Sequence, residues 1–298
     1  MQTFLWRLFT LICMVALAAA TFTSTVSAKG DTAHRAALFR RIATFPVFLN
    51  TDVELETVAE IVTSTRDGKL LVYTDSETAN VGFVDIRNPR KPLPDGVVAV
   101  SGEPTSVAVL DRHRRQYALV AVNTSESFTD PSGILEVINI RTRQVVRRID
   151  LGGQPDSIAV SGDGRYAVVA IENERDEDLR DGRPPQAPPG FVVIVDLVGP
   201  PMYWKTREVS LVDIPDLFPN DPEPEYVDIN RRNEAVVTLQ ENNHIVVINL
   251  KNGRVVAEWS AGMVDLDQID TLENELIELD SALFDVPREP DAVVWTSN

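Results

Sequence analysis

From about residue 58 onward the chain alternates short apolar runs with polar turns, and the alternation repeats. Four stretches align: GEPTSVAVL (102–110), GQPDSIAVS (153–161), PEPEYVDIN (222–230) and REPDAVVWT (288–296). In each, a proline is followed by two residues and a short apolar strand. A polar turn comes next: LDRHRRQ, SGDGR or NRRNE. Second strands follow, YALVAVN, YAVVAIEN and AVVTLQEN, and then loops of different length. Third strands read GILEVINI, GFVVIVDL and HIVVINL, and fourth strands read QVVRRIDL and RVVAEWS. An earlier copy over 58–86 lacks the proline.

The equivalent positions Val58, Pro104, Pro155, Pro224 and Pro290 lie 46, 51, 69 and 66 residues apart. Four hairpin-linked strands recurring about every 40–50 residues predict the blades of a β-propeller, with insertions lengthening the later intervals. A β-sandwich is the alternative all-β reading. Four units are full, and a fifth stops after its first strand. The expectation is the N-terminal part of a longer ring, because an open end exposes a sheet edge and an apolar blade face. FPVFLN (45–50) is a candidate outermost strand for a closing blade. One stretch has helical spacing: TLENELIELDSALF (271–284), with Leu272, Leu276, Leu279 and Leu283 on one face.

The first 28 residues stand apart. A single early charge, Arg7, precedes an apolar run from Leu8 to Ala20 and a small-residue site at Val26-Ser27-Ala28. That is the layout of an export signal peptide. A membrane anchor is the other reading, but the run is shorter than the ~20 apolar residues a span needs. The only cysteine, Cys13, lies inside this segment, so the exported chain has no disulfide. Residues 29–44 read as a flexible lead-in and 45–298 as the propeller. The net charge of −17 disfavours nucleic acid and anionic membrane as partners and suits cations or a basic partner.

The Pro155–Val160 strand, Asp163-Gly164 and the run Ala170-Ile171-Glu172-Asn173-Glu174 together resemble the choice-of-anchor I type of β-propeller, related to the YVTN and WD40-like repeat class. Pro222–Val227, Leu239–Asn243 and Arg288-Glu289-Pro290-Asp291 extend the resemblance. These segments also look like the N-terminal half of proteins described as having esterase-like activity of phytase. The resemblance implies an exported seven-bladed propeller with phosphoester or ester hydrolysis as its activity.

In a four-stranded blade, the entry to strand one and the loop between strands two and three share a face. The first face then collects Asp75, Glu77, Glu103, Glu126, Asp130, Asp156, Glu223, Glu225, Glu241, Glu289 and Asp291. It also collects the six acidic residues of 172–181, where Glu172, Glu174, Asp176, Glu177, Asp178 and Asp181 crowd one loop. The second face collects most of the arginines and lysines, among them Arg66, Arg115, Arg141, Arg143, Arg165 and Arg232, interrupted by Asp67, Asp111 and Asp163. Loops are polar in any case, but that does not account for sorting by sign.

Carboxylates with asparagine oxygens suit calcium, a hard ion taking 6–8 oxygen ligands. The candidate ligands are Glu172, Asn173, Glu174, Asp176, Asp178, Glu223, Glu225, Glu241 and Asn242, with Glu103, Asp156, Glu289 and Asp291 lining the substrate approach. An acidic, solvated loop without metal is the other reading, since no EF-hand pattern is present. Bound calcium would let this face hold a small anionic phosphoester and activate water; without it the face repels one. No Gly-x-Ser-x-Gly, P-loop or His-Glu-x-x-His motif occurs. Of His34, His113 and His244, only His244 is placed on the acidic face as a base or ligand, and a surface histidine is the plainer reading. Trp204 and Trp259 read as packing residues between blades, and Asn123-Thr124-Ser125 fits a glycosylation sequon. Two functions follow: a calcium-dependent phosphoester or ester hydrolase, or a non-catalytic envelope propeller that binds a protein or surface polymer.

Overall fold

The computed structural model describes residues 40–112, 115–176, 178–179, 182 and 184–296. The expected signal peptide, His34 and His113 lie outside these residues, as do Glu177 and Asp181. Ile42–Asn298 forms one compact unit. Among the described residues no helix is long and apolar enough to cross a membrane.

The described strands form four four-stranded antiparallel sheets and one hairpin. Blade one is β1 (Ala59–Ser64), β2 (Leu70–Asp75), β3 (Asn80–Asp85) and β4 (Leu93–Ala99). Blade two is β5 (Glu103–Arg112), β6 (Arg115–Asn123), β7 (Gly133–Asn139) and β8 (Gln144–Asp150). Blade three is β9 (Pro155–Val160), β10 (Tyr166–Ile171), β11 (Phe191–Asp196) and β12 (Lys205–Ser210). Blade four is β13 (Pro224–Ile229), β14 (Glu234–Leu239), β15 (His244–Asn249) and β16 (Arg254–Ser260). In every blade the strands pair in chain order, so the sheet is a simple meander. The fold is an all-β propeller.

The middle strands are nearly continuous apolar runs because both of their faces are covered. In β6, Ala118, Val120 and Val122 face blade one, packing with Val72, Val81 and Phe83. Leu119 and Ala121 point the other way, into a core shared with Ile158, Val169 and Val193 of blade three. In β10, Val168 joins Val237, Val246 and Ile248 of blade four, whereas Val169 and Ile171 return to blade two. Period-two alternation sends successive residues to opposite faces, and here each face meets a neighbouring blade. Trp204 is buried in the core between blades two and three, as expected, with its ring edge-on to Tyr117. Trp259, on β16, is 45 % exposed.

The first strands β5, β9 and β13 lie side by side. Hydroxyls join these neighbours: Thr105 Oγ1 donates to Pro155 O at 2.9 Å and Ser157 Oγ donates to Glu225 O at 2.6 Å. Thr238 Oγ1, from β14, donates to Asp291 O at 3.2 Å, which brings the segment after the last hairpin against blade four.

Two expectations are corrected. Residues 271–284 form no helix. The strands β17 (Met263–Ile269) and β18 (Ser281–Pro287) pair as a hairpin, and Leu272, Leu276 and Leu279 in its loop are each 61 % exposed. A single short amphipathic helix is marginal unless its apolar stripe packs on something, and these leucines meet no core. FPVFLN is likewise no blade strand. Val47–Asn50 make a 3₁₀ turn, and Asn50 Nδ2 donates to Phe83 O and to the Tyr73 hydroxyl. The Asn50 side-chain oxygen accepts from the Asp95 and Gly96 backbone, so this turn is pinned to blade one.

Candidate functional site

The meander order puts the β2–β3 and β4-to-next-blade loops on one face. The β10–β11 loop, the entries to β9 and β13, and the β14–β15 turn therefore converge. Two asparagines explain how the loops are held there. Asn173 Oδ1 accepts from Gln154 N at 2.9 Å, and its amide nitrogen donates to Pro188 O and Pro189 O. Asn242 Oδ1 accepts from Glu223 N at 2.9 Å, while its nitrogen donates to Leu217 O, Phe218 O and Asp221 O. Both are buried. Each ties the loop after strand two to the backbone just before its blade's first strand. Their amide groups brace the loops, which is a different use from the metal-ligand role expected of them.

Around these braces the carboxylates collect. Burial pushes Glu172 up to about 9, reinforced by Asp156, Glu225, Glu174 and Glu241. Asp156 is pushed up to about 7 by burial, then by Asp291 and Glu174. Glu225 reaches about 8 by burial, with Glu241, Asp156, Asp291 and Glu223 adding to it. Glu223 also reaches about 8, because burial and Glu241 outweigh the pull of Arg175. Glu241 is raised by burial, and Glu289 and Glu174 add to that. Like charges held together out of water disfavour the ionised state, and each carboxylate suffers from its neighbours.

Among the described residues one cation, Arg175, pairs with these carboxylates. Arg175 bridges Glu223 and also meets Glu241 at 3.6 Å. Polar neighbours meet two further carboxylates: Gln154 Nε2 donates to Glu174, and the Gln240 side-chain amide lies against Glu225. Among the described residues no basic side chain forms an ion pair with Asp156, Glu172 or Glu225.

The expected site residues thus divide. Asp156, Glu172, Glu174, Glu223, Glu225, Glu241, Glu289 and Asp291 share one electrostatic neighbourhood. Asp176 and Asp178 do not join it; Asp178 N donates to Asp176 Oδ1 in a local turn. Glu103 is exposed at the entry to blade two, with Asn123 Nδ2 at 3.5 Å. His244 is buried, and its Nε2 lies 2.6 Å from Glu258 Oε2 on the adjacent outer strand, so it serves β16 and not the carboxylate cluster. The sequence reading missed Arg175, Gln154 and Gln240. The signal for Arg175 was a basic residue set directly between acidic neighbours, Glu174 and Asp176. Among the described residues, no three His, Cys, Asp or Glu side chains are grouped so as to hold a metal ion.

The choice-of-anchor I domain model matches residues 60–296. The chain belongs to the choice-of-anchor I family. No curated protein matches it. Solved structures resembling it include hydrazine synthase from Kuenenia stuttgartiensis, at 12 % identity over 68 % of this chain and 74 % of that one, with a TM-score of 0.42. The β-propeller domain of Cps50 (Swd1) from Myceliophteria thermophila matches at 10 % identity over 77 % of this chain and 74 % of that one, with a TM-score of 0.48. A protein of unknown function from Bacteroides caccae matches at 12 % identity over 75 % and 70 %, with a TM-score of 0.44. Membership in the choice-of-anchor I family supports an exported propeller protein.

Proposed function

We propose that this choice-of-anchor I protein is a non-catalytic binding propeller of the cell envelope, working in the periplasm or outside the cell. Its acidic face takes a cationic group from a basic polypeptide partner. The observation that carries this reading is the pairing pattern of the cluster. Arg175 serves Glu223 and Glu241, while Asp156, Glu172 and Glu225 have no ion-pair partner among the described residues. Their carboxyls are pushed up by burial and by one another, so a cation brought alongside relieves the repulsion. The chain itself already uses a guanidinium for this purpose, which favours arginine or lysine in the partner. The test is binding of a fluorescent oligo-arginine peptide by anisotropy at low salt. The Glu172→Gln, Glu225→Gln double variant is expected to weaken binding at least tenfold. Equal binding by variant and parent sinks the reading.

A calcium-dependent phosphoester or ester hydrolase is the second reading, favoured by the crowding of carboxylates and by the phytase-like resemblance. Among the described residues the side chains do not fit a calcium cage, because the two asparagine amides are engaged and no three acidic groups are gathered so as to hold a metal ion. Phosphate release from p-nitrophenyl phosphate that disappears in EGTA and returns with calcium would establish this reading over the first.

A further inference from the structure

The opposite face carries a cleft of about 1060 Å³ between blades one and two. Three arginines line it: Arg115 at the start of β6, and Arg141 and Arg143 in the β7–β8 turn. Gln116, Asn139 and Tyr117 add polar atoms, and Asp95 is the one acidic residue among the lining side chains.

Arg143 is fixed in place. Its backbone is left-handed, at φ 56°, and its N–H donates to Asn139 O at 2.8 Å. Its guanidinium lies 3.7 Å above the Phe83 ring centroid. One nitrogen donates to Ile140 O and another pairs with Asp95. A guanidinium fixed this way loses little freedom when a ligand arrives, and its planar fork suits phosphate oxygens. Arg115 and Arg141 are exposed and have no salt-bridge partner among the described residues. The cleft therefore holds an excess of two positive charges on a molecule whose net charge is −17. Its volume lies just above the ~300–1,000 Å³ common for small-molecule sites, large enough for an organic ligand rather than a bare ion.

We propose that this cleft binds a small phosphorylated molecule carrying at least two negative charges, with Arg115 and Arg141 gripping the phosphate beside the fixed Arg143. The site is separate from the acidic face and does not depend on how that face is used.

The test is calorimetric titration of the full protein with pyrophosphate, against sodium chloride at matched ionic strength. The expected result is saturable binding that weakens at least tenfold in the Arg115→Ala, Arg141→Ala double variant. Both side chains are exposed, so this variant is expected to fold, as circular dichroism will verify. Asp95→Asn removes the carboxylate that competes for Arg143, and affinity is expected to rise several-fold. Glu172→Gln, on the other face, is expected to leave pyrophosphate binding unchanged. Absence of saturable binding overturns the proposal, as does a double variant that binds as well as the parent. Unchanged affinity in Asp95→Asn removes Arg143 from the site and overturns the three-arginine arrangement.

Discussion

A single asparagine shows what the loop face demands of its residues. Asn242 is about 1 % exposed and satisfies the Glu223 N–H as well as three backbone carbonyls. Truncation to alanine strands a buried N–H in a place water does not reach. An orphaned buried donor costs about 1–3 kcal/mol, and the lost donation to carbonyls adds to it. Asn242→Ala is therefore expected to destabilise by about 2–4 kcal/mol in urea unfolding. Asn123, the last residue of β6, makes no such brace in blade two. Its oxygen bonds only to Ser125 N, and its nitrogen only weakly to Glu103. Asn123→Ala should cost less than about 1 kcal/mol by the same measurement. Equal losses for the two would mean that the bracing account is wrong. Gly153 belongs to the same local design. A Cβ there would come within 2.5 Å of Asn173 Oδ1 and 2.6 Å of Ile171 Cγ2, so only glycine lets the brace close.

At the scale of strands and turns, the first blade depends on a residue outside its sheet. Asn50 donates to Tyr73 and Phe83 and accepts from Asp95 and Gly96, and so joins β2, β3 and β4 from one side. Asn50→Ala is expected to free the 3₁₀ turn, seen as faster hydrogen exchange over β3 and β4 with blades three and four unchanged. Uniform loss of protection across all four blades would show instead that blade one is not a separate opening unit. This element also shows where sequence pattern stops. The blade strands were legible because both faces of each middle strand are covered, which leaves apolar runs such as Ala118–Val122 and Val192–Val195. FPVFLN has the composition of a strand, but its fate is decided by one long-range asparagine. The leucines of 272–283 keep helical spacing, but spacing alone cannot reveal that no surface covers them. The candidate site was half legible for a similar reason. Meander topology assigned the carboxylates to one face, and eight of them share a neighbourhood. Which asparagine braces, which arginine folds back into the acids and which histidine turns toward β16 are set by contacts between residues distant in sequence, such as Arg175 with Glu223.

Over the whole molecule, the sorting of charge by face has a consequence for stability against pH. The aspartates that interrupt the basic face are turn formers. Asp67 accepts from Thr65 and Asp163 from Ser161 within matching TRDGK and SGDGR turns, and both carboxyls are held below the ordinary value, so their contribution is lost as the pH falls below about 4. The acidic face behaves in the opposite sense. Asp156 at about 7, Glu223 and Glu225 at about 8 and Glu172 at about 9 keep their protons in the folded protein well above the pH at which the unfolded chain releases them. Where the folded state binds more protons than the unfolded one, stability falls as pH rises. The favourable contribution is complete below about pH 4 and drains away between about pH 4 and 9. The unfolding midpoint in urea is therefore expected to decline steadily from pH 5 to pH 9. The Glu172→Gln, Glu225→Gln variant, which has two fewer charges to bury, should show a shallower decline and greater stability than the parent at pH 8.5. A cation that docks on this face replaces the protons, so oligo-arginine should restore the parent's midpoint at pH 8 and release protons on binding near pH 7. Release is measured as a dependence of the calorimetric heat on the ionisation enthalpy of the buffer. A midpoint that stays flat from pH 5 to 9 in both proteins would mean that the carboxylates are fully solvated, and the acidic face would then have no repulsion for a partner to relieve.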